Sequence, residues 1–409
     1  MTHDKPLSIA VVTETYPPEI NGVSTTIARV VEGLRAEGHA LQLVRPRRGA
    51  GDLPRSQKDV QPGWTEMLVR GLPIPRYPQL RMGLPAKGRL VDAWTRNRPD
   101  VVHIATEGPL GWSALRAALQ LGLPVTSDFR TNFHAYSRHY GIGWLQRPIV
   151  GYLRAFHNRT ACTMVPTEAL RRELETSGFE RTAVVARGVD AQLFRPSQRS
   201  DALRARWGLR AGDSAVLCVG RLAPEKNLDT LLDAFTAMSA LNPRLRLVLV
   251  GDGPMRAALQ SRCPDAVFAG LRSGNDLAAH YASGDLFLFP SLTETFGNVT
   301  PEAMASGLAV LAFDYAAAGQ LVQSGRNGLL APFGDASAFV HQAQALAADA
   351  SAARAMGRAA RETALGLDWG RIVRQIEGVM RAAIAAAALP APRLESAAWT
   401  STRNSTPAA

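Results

Sequence analysis

Short apolar runs of strand length alternate with helix-length stretches twice along these 409 residues, and few folds accommodate that order. Leu7 to Thr15, His39 to Pro46, Glu66 to Arg70, Val101 to Thr106, Pro124 to Phe129, Cys162 to Pro166 and Ala183 to Arg187 read as strands. Helical patterns at Ser24 to Glu37, Ala86 to Asn97 and Gly111 to Leu121 lie between them. A second series runs through Ser214 to Gly220, Leu245 to Val250, Ala266 to Ala269, Leu286 to Phe289 and Ala309 to Phe313. Strands separated by helices pair in parallel, because each crossover returns the chain to the same edge of the sheet. The fold class is therefore α/β, with two doubly wound units of similar size and no sequence repeat between them. Arg195 to Ser200 reads as the linker, which places an N-terminal unit at 1–195 and a C-terminal unit at 196–369. Asp335 to Leu365 reads as one helical stretch and Trp369 to Leu389 as a closing helix. The tail at 390–409 is Pro, Ala, Ser and Thr without an apolar period and is expected to be disordered.

Composition excludes several classes. Hydrophobic residues make up 46% of the chain, ordinary for a globular protein with sizeable cores. No apolar run reaches the roughly 18 residues of a membrane span, and Met1 to Pro6 is too polar and short for a signal peptide, so a cytosolic chain is expected. Cys162, Cys218 and Cys263 lack metal-ligand spacing and are expected to be reduced thiols without chemistry. Of the net charge of +11, residues 1–195 carry +9, and a basic half is drawn to anionic surfaces.

The stretch Ser291 to Val310, SLTETFGNVTPEAMASGLAV, follows the buried strand Leu286 to Phe289 and leads into a helical pattern. Thr300 is expected as N-cap, Pro301 as the first helical residue and Gly307 as the left-handed residue that stops the helix. The N–H groups of Phe296, Gly297, Asn298 and Val299 then point off a helix N-terminus, where the dipole favours a phosphate. Glu294 and Glu302 flank that turn with seven residues between them. A phosphate cradle between two carboxylates suits a sugar nucleotide; a plain turn with two solvated glutamates is the alternative. The strand, the Asn21-Gly22 turn and the helix that follow Leu7 form a second anion site of the same kind, or an ordinary helix-opening glycine. Gly251-Asp252-Gly253 is a weak nucleotide signal that lacks the third glycine and later acid of a dinucleotide site, which disfavours an oxidoreductase.

Two loops carry less information. Arg47 to Gln61 is polar, basic and patternless, and is expected to be mobile; Leu72 to Pro85 is Pro-rich and expected to lack regular structure until its end. Between Asp128 and Glu168 there is no acid, while Arg130, Arg138, Arg147, Arg154 and Arg159 occur among Phe133, Tyr136, Tyr140, Trp144, Tyr152 and Phe156. Such a mixture meets lipid headgroups, or else the aromatics are core at helical spacing and the arginines their solvated face. Single-stranded nucleic acid is the least favoured partner.

The E-x7-E segment resembles that of the retaining family 4 glycosyltransferases of the two-domain GT-B fold. Gly220-Arg221-Leu222-Ala223-Pro224-Glu225-Lys226-Asn227, Val250-Gly251-Asp252-Gly253-Pro254, and Gly188-Val189-Asp190 with Phe194 and Pro196 resemble the family's other motifs, in its order. The resemblance implies two Rossmann-like domains facing each other across a cleft, the last helix (370–389) crossing back to the first domain. It also implies Glu302 on the ribose hydroxyls, Glu294 on the hexose hydroxyls, Gly22 facing the donor phosphate from the other domain, and Gly220, Gly251 and Gly253 at the nucleotide. A diphosphate leaving group needs positive charge; no D-x-D pair occurs, so Arg221, Lys226 and the helix dipole are expected to supply it without a metal or other cofactor. Many family members carry a histidine immediately after the strand that ends here at Phe129; this chain has Arg130 there, with His134 four residues on and His139 a weaker candidate. His103, near the end of its strand, is a further acceptor-side candidate.

TETFGNVTPEAMASGL most resembles the branch that glycosylates lipids, including sulfoquinovosyl or glucuronosyl diacylglycerol synthases and mannosyltransferases acting on glycolipids. The expected reaction moves a hexose from GDP-mannose or a UDP-hexose to diacylglycerol or a glycolipid, with retention, at the anionic inner face of the cell membrane and without nucleic acid. A soluble sugar or polysaccharide acceptor is the alternative within the enzyme class; a non-catalytic sugar-nucleotide or membrane-binding protein is the alternative outside it.

Overall fold

The computed structural model describes residues 5–19, 21–49, 51–54, 63–74, 77–130 and 146–389. The first half contains β1 (Ser8–Val12), α1 (Gly22–Ala36), β2 (Ala40–Pro46), β3 (Trp64–Val69), β4 (Gly71–Ile74), β5 (Tyr77–Gly83), α2 (Lys87–Arg96) and β6 (Val101–Ile104). It continues with α3 (Pro109–Gln120), β7 (Val125–Asp128), α4 (Gln146–His157), β8 (Cys162–Val165), α5 (Glu168–Thr176) and β9 (Thr182–Val184). The second half contains α6 (Asp201–Arg206), β10 (Ser214–Val219), α7 (Leu228–Leu241), β11 (Leu245–Val250), α8 (Arg256–Arg262), β12 (Val267–Gly270), α9 (Gly274–Ser283) and β13 (Leu286–Phe289). It ends with α10 (Val299–Ala305), β14 (Ala309–Phe313), α11 (Ala316–Leu321), β15 (Gly328–Ala331), α12 (Ala336–Ala348), α13 (Ala350–Leu365) and α14 (Trp369–Ala388).

Among the described residues, two sheets hold the core. One has the order β3-β2-β1-β6-β7-β8-β9 and the other β12-β11-β10-β13-β14-β15. The strands pair in parallel throughout both sheets. Both are doubly wound: the strand order reverses beside β1 in the first and beside β10 in the second, and loops diverge above such a point to leave a crevice. Most strands read as near-continuous apolar runs because helices cover both faces, with polar residues such as Gln42, His103 and Thr126 to Asp128 among them.

Helix ends follow side-chain capping. Asn21, Thr167, Ser200, Asp335, Asp349 and Asp368 each accept a backbone N–H two or three residues on, worth about 1 kcal/mol apiece. Asp349 explains why Asp335 to Leu365 is two helices and not one: its carboxylate takes the N–H groups of Ser351 and Ala352 and restarts the helix. The Pro-rich segment after Leu72 is regular, contrary to expectation. β4 and β5 form an antiparallel ribbon in which Pro73 faces Arg81, and a two-stranded ribbon has open edges where a missing N–H costs nothing. β15 was not expected either, being four residues that open on a glycine. The loop after Pro46 is held where it is described: Arg45 grips Asp52 with two nitrogens at 2.7 and 2.9 Å, and Asp52 accepts the Arg48 N–H at 2.8 Å.

The closing helix α14 buries Ile372, Val373, Ile376, Met380 and Ala383, a stripe at helical spacing, in the core of the first half with Ile9, Val11 and Ile27. It seats closely on α1 because Gly33 has no side chain: a Cβ there would lie 2.4 Å from a Val373 methyl.

Candidate active site

At the reversal of the second sheet, the loops after β10, β11 and β13 come together. The glycines are set by contact between backbones: a Cβ on Gly251 would meet the Gly220 carbonyl oxygen at 1.9 Å, and one on Gly253 the Leu222 carbonyl oxygen at 2.4 Å. This close approach delivers the turn Pro224–Lys226 beside the loop after β13, where the Leu292 N–H donates to the Glu225 carbonyl at 3.2 Å. Lys226 donates to Glu294, whose same oxygen accepts from Ser291 Oγ at 2.9 Å. The ammonium also lies 5.5 Å from the centroid of the Phe289 ring. Arg221 is paired with Glu225; burial opposes the Glu225 charge, yet the Arg221 hydrogen bond holds its carboxyl below the usual range. Cys218, at the floor, is buried, and burial pushes its thiol up to about 12, away from reactivity.

The helix after the phosphate-type turn begins two residues earlier than the sequence implies. α10 begins at Val299 with Asn298 at the cap position, so Thr300 and Pro301 are inside it. The Thr300 N–H already donates to the Gly297 carbonyl at 3.1 Å and the Glu302 N–H to Asn298 at 3.2 Å. Pro301 fits this frame because the first four N–H groups of a helix have no intrahelical partner to lose. Gly297 sits at φ 90° and Gly307 at φ 82°, both in the left-handed region that glycine tolerates. Asn298 reaches the other half: its Nδ2 is 3.5 Å from Thr26 Oγ1 of α1 and equally far from where a Gly22 Cβ would stand. Glu302 accepts the Tyr281 hydroxyl at 2.9 Å; burial pushes its carboxyl up to about 7, and the Tyr281 hydrogen bond opposes that rise.

The carboxyl end of the first sheet holds a different cluster. Asp128, at the end of β7, accepts from Arg130 and lies 3.2 Å from His103 Nε2, while His103 Nδ1 is 3.1 Å from Thr126 Oγ1. Burial works against the Asp128 charge, but Arg130 and His103 outweigh it and hold the carboxyl well below its usual range. Burial pushes Arg187 down to about 9, with repulsion from Arg130 adding to the fall. Glu14, at the end of β1, caps α3 by accepting the Leu110 N–H at 3.0 Å and also takes the Gly83 N–H. Burial pushes both Glu14 and Glu107 up to about 7, and one Glu107 oxygen is buried without a hydrogen-bond partner among the described residues.

Comparison with known proteins places this geometry. Residues 20–193 match the family model described as Glycosyltransferase Family 4, and residues 213–349 the one described as Glycosyl transferases group 1. A GDP-mannose-dependent alpha-mannosyltransferase of Mycobacterium tuberculosis is 37% identical over 90% of this chain and 95% of its own length. The chain belongs to glycosyltransferase family 4. An alpha-monoglucosyldiacylglycerol synthase of Streptococcus pneumoniae is 26% identical over 75% of this chain and 71% of its own. Sucrose-phosphate synthase from Thermosynechococcus elongatus superposes with a TM-score of 0.73 at 21% identity, covering 93% of this chain and all of that one, which shows the shared GT-B fold.

Within this family 4 glycosyltransferase, Lys226 meets Glu294, Arg221 meets Glu225 and Glu302 meets Tyr281; Gly297, Asn298 and Val299 lie at the start of α10, where Asn298 approaches Gly22 and Thr26 of the other half, while Phe296 is buried in the core of the second half. Gly220, Gly251 and Gly253 lie beneath as loop-to-loop contacts. Arg130 is buried on Asp128, and His103 is sealed beneath Asp128 and Thr126. His134 and His139 lie outside the described residues, as do Phe133, Tyr136, Arg138, Tyr140 and Trp144. Of the remaining aromatics, Phe156 is core and Tyr152 is half-exposed, its hydroxyl donating to the Glu107 carbonyl at 2.6 Å. Sequence reasoning missed Tyr281, which reads as one more apolar position before β13, and Glu14, whose only signal is an acid at the end of a buried run. A cavity of about 410 Å³ between β2, β3 and α2, lined by Gln42, Glu66, Arg89 and Asp92, shares no residue with either cluster.

Proposed function

We propose that this glycosyltransferase moves a hexose from GDP-mannose or a UDP-hexose to a hydroxyl of a lipid acceptor, diacylglycerol or a glycolipid, with retention and without a metal. The observation that carries the reading is the Lys226–Glu294 contact beside the Gly297 turn. The two charges satisfy each other; a donor diphosphate takes the ammonium, and the freed carboxylate accepts the hexose hydroxyls. Arg221 and the N–H groups of 296–299 share the phosphate charge, which grows as the sugar departs. Glu302 takes the ribose hydroxyls. The departing phosphate, on the same face as the incoming hydroxyl, helps to remove its proton, so the anomeric configuration is kept. Arg130, buried on Asp128, is assigned to the frame of the acceptor side and not to contact with the acceptor.

The named relatives support the donor and the lipid acceptor: one uses GDP-mannose and another makes a glucosyldiacylglycerol. The reading without a metal rests on Arg221 and Lys226, cations placed beside the Gly297 turn. No described helix is long and apolar enough to cross a membrane. We assign the protein to the inner membrane surface as a peripheral enzyme, on the basic first half and on α4, which presents Arg147, Arg154 and half-exposed Tyr152. The test is thermal shift with GDP-, UDP- and ADP-sugars, followed by product analysis with diacylglycerol or glycolipid vesicles, with and without chelator. The expected result is one preferred base, a shift lost in Glu302→Ala, and α-linked glycolipid whose yield the chelator leaves unchanged. Donor binding with no lipid product would move the acceptor to a soluble sugar, and no turnover with either would leave a binding protein.

A further inference from the structure

We propose that Tyr281 is the positioning residue for the donor carboxylate Glu302, and that Phe194, in the segment joining the two halves, sets the Tyr281 ring. The inference rests on the donor site proposed above. Tyr281 is fully buried near the end of α9, and its hydroxyl donates to Glu302 Oε2 at 2.9 Å. A buried tyrosine hydroxyl requires such a partner, but the partner here is a ligand-facing acid, not a backbone carbonyl. The hydrogen bond fixes one carboxylate oxygen and leaves the other for a ribose hydroxyl.

The ring is held on two sides. Phe287 of β13 lies 6.0 Å away, and Phe194 meets it edge-on at 5.5 Å and 88°. Phe194 belongs to the Gly188 to Pro196 motif, which the donor chemistry leaves without a task. That segment is tied to both halves. Asp190 pairs with Arg29 of α1 at 2.7 Å, and the Val189 N–H donates to the Leu367 carbonyl at 3.0 Å. Arg361 of α13 donates to the carbonyl oxygens of Phe194 and Ala305, each at 2.7 Å, and of Ala191 at 2.9 Å. Ala305 ends α10, the helix that carries Glu302. A shift of the joining segment therefore reaches Glu302 by two routes, through the Tyr281 ring and through the end of its own helix. The same segment is paired through Asp190 with α1, whose Gly22 and Thr26 lie beside Asn298. Closure of the halves and readiness of the ribose carboxylate are coupled by these contacts.

A merely structural tyrosine would change melting temperature alone. The test is calorimetric titration with GDP and, separately, UDP from about pH 5.5 to about pH 8.5, on wild type, Tyr281→Phe, Phe194→Leu and Glu302→Ala. Losing the hydroxyl removes a donor to the ionised carboxylate. Tyr281→Phe is expected to move the acid limb of nucleotide binding upward by at least about half a pH unit, which weakens binding near pH 6.5 about threefold with little change near pH 8.5. Phe194→Leu, which keeps an apolar side chain, is expected to move the limb in the same direction by less. If Glu302→Ala destroys binding while Tyr281→Phe leaves the limb in place, the positioning role is overturned. If Tyr281→Phe moves it and Phe194→Leu does not, the link to the joining segment is overturned. If Glu302→Ala binds like wild type, or neither nucleotide binds, the donor site itself is misplaced and this inference falls with it.

Discussion

At the carboxyl end of the first sheet Asp128 and Arg130 lie 6% and 2% exposed, whereas at the corresponding end of the second sheet Lys226 and Glu294 lie 13% and 15% exposed. Both pairs sit at the same kind of place, above the reversal of a parallel sheet. The first is shared with a buried histidine and closed to solvent; the second meets the crevice. A buried pair is kept because separating it is costly, while a half-open pair can exchange partners. On the reading proposed above, the difference separates scaffold from site: the second half holds its charges where a diphosphate can reach them, and the first half keeps its charges buried at strand ends.

The largest expected effect tests the closed pair. Asp128→Ala leaves Arg130 buried without its counter-charge, a loss of about 3–5 kcal/mol and a fall in melting temperature on the order of 10 °C. Glu294→Ala, in the half-open pair, should lower the melting temperature by no more than a few degrees while abolishing most turnover. Equal losses of stability would erase the distinction between the two clusters.

Next in size are the donor contacts. Lys226→Ala and Glu302→Ala should each reduce donor binding or turnover at least about tenfold, equivalent to about 1.4 kcal/mol, with the fold intact by circular dichroism. Unchanged kinetics in both would break the assignment of the second half as the donor side.

The pH dependence sharpens it further. Burial, opposed in part by Tyr281, pushes Glu302 up to about 7. Folding therefore favours its neutral form: the stability it contributes is present below the unfolded value of 4.5 and is lost as pH rises through about 7. Ribose hydroxyls donate to the ionised form, so donor affinity runs the other way. It should weaken about tenfold between pH 8 and pH 6. Asp128 has the opposite sign, since its lowered carboxyl contributes stability above the unfolded value of 3.8 that disappears only in stronger acid. A melting curve in acid and a donor titration near neutrality thus report on different halves.

Much of the architecture was legible because apolar period and helix caps are local. Leu245–Val250, Leu286–Phe289 and Ala309–Phe313 fall where the pattern put them. The break at Asp349 and the ribbon of β4 and β5 were not legible. The first depends on which backbone groups one carboxylate captures, and the second on a partner strand that compensates for proline. At the site, Glu294, Arg221 and Lys226 stand out as charged residues in the loops after strands, and Glu302 as an acid in the first turn of the helix that follows. Tyr281 does not, since a buried ring at helical spacing looks like core until its hydroxyl is seen on Glu302. The start of α10 was misplaced for a related reason: Asn298 takes the cap position without a side-chain capping bond, and its amide is turned to Thr26 instead.

That last contact carries the smallest predicted effect and bears most directly on how the two regions work together. Asn298 Nδ2 lies 3.5 Å from Thr26 Oγ1, at the long limit of a hydrogen bond. Such a bond contributes about 0.5 kcal/mol, so Asn298→Ala should raise the donor KM about twofold and leave the melting temperature within error. Thr26→Val should do the same, and the double variant should be no worse than either alone if the two groups act only through each other. Additive losses would mean that Asn298 serves the donor directly and Thr26 something else. In that case the first half contributes no contact to donor affinity through this pair, and the contrast between a scaffold half and a donor half becomes sharper than the structure alone makes it.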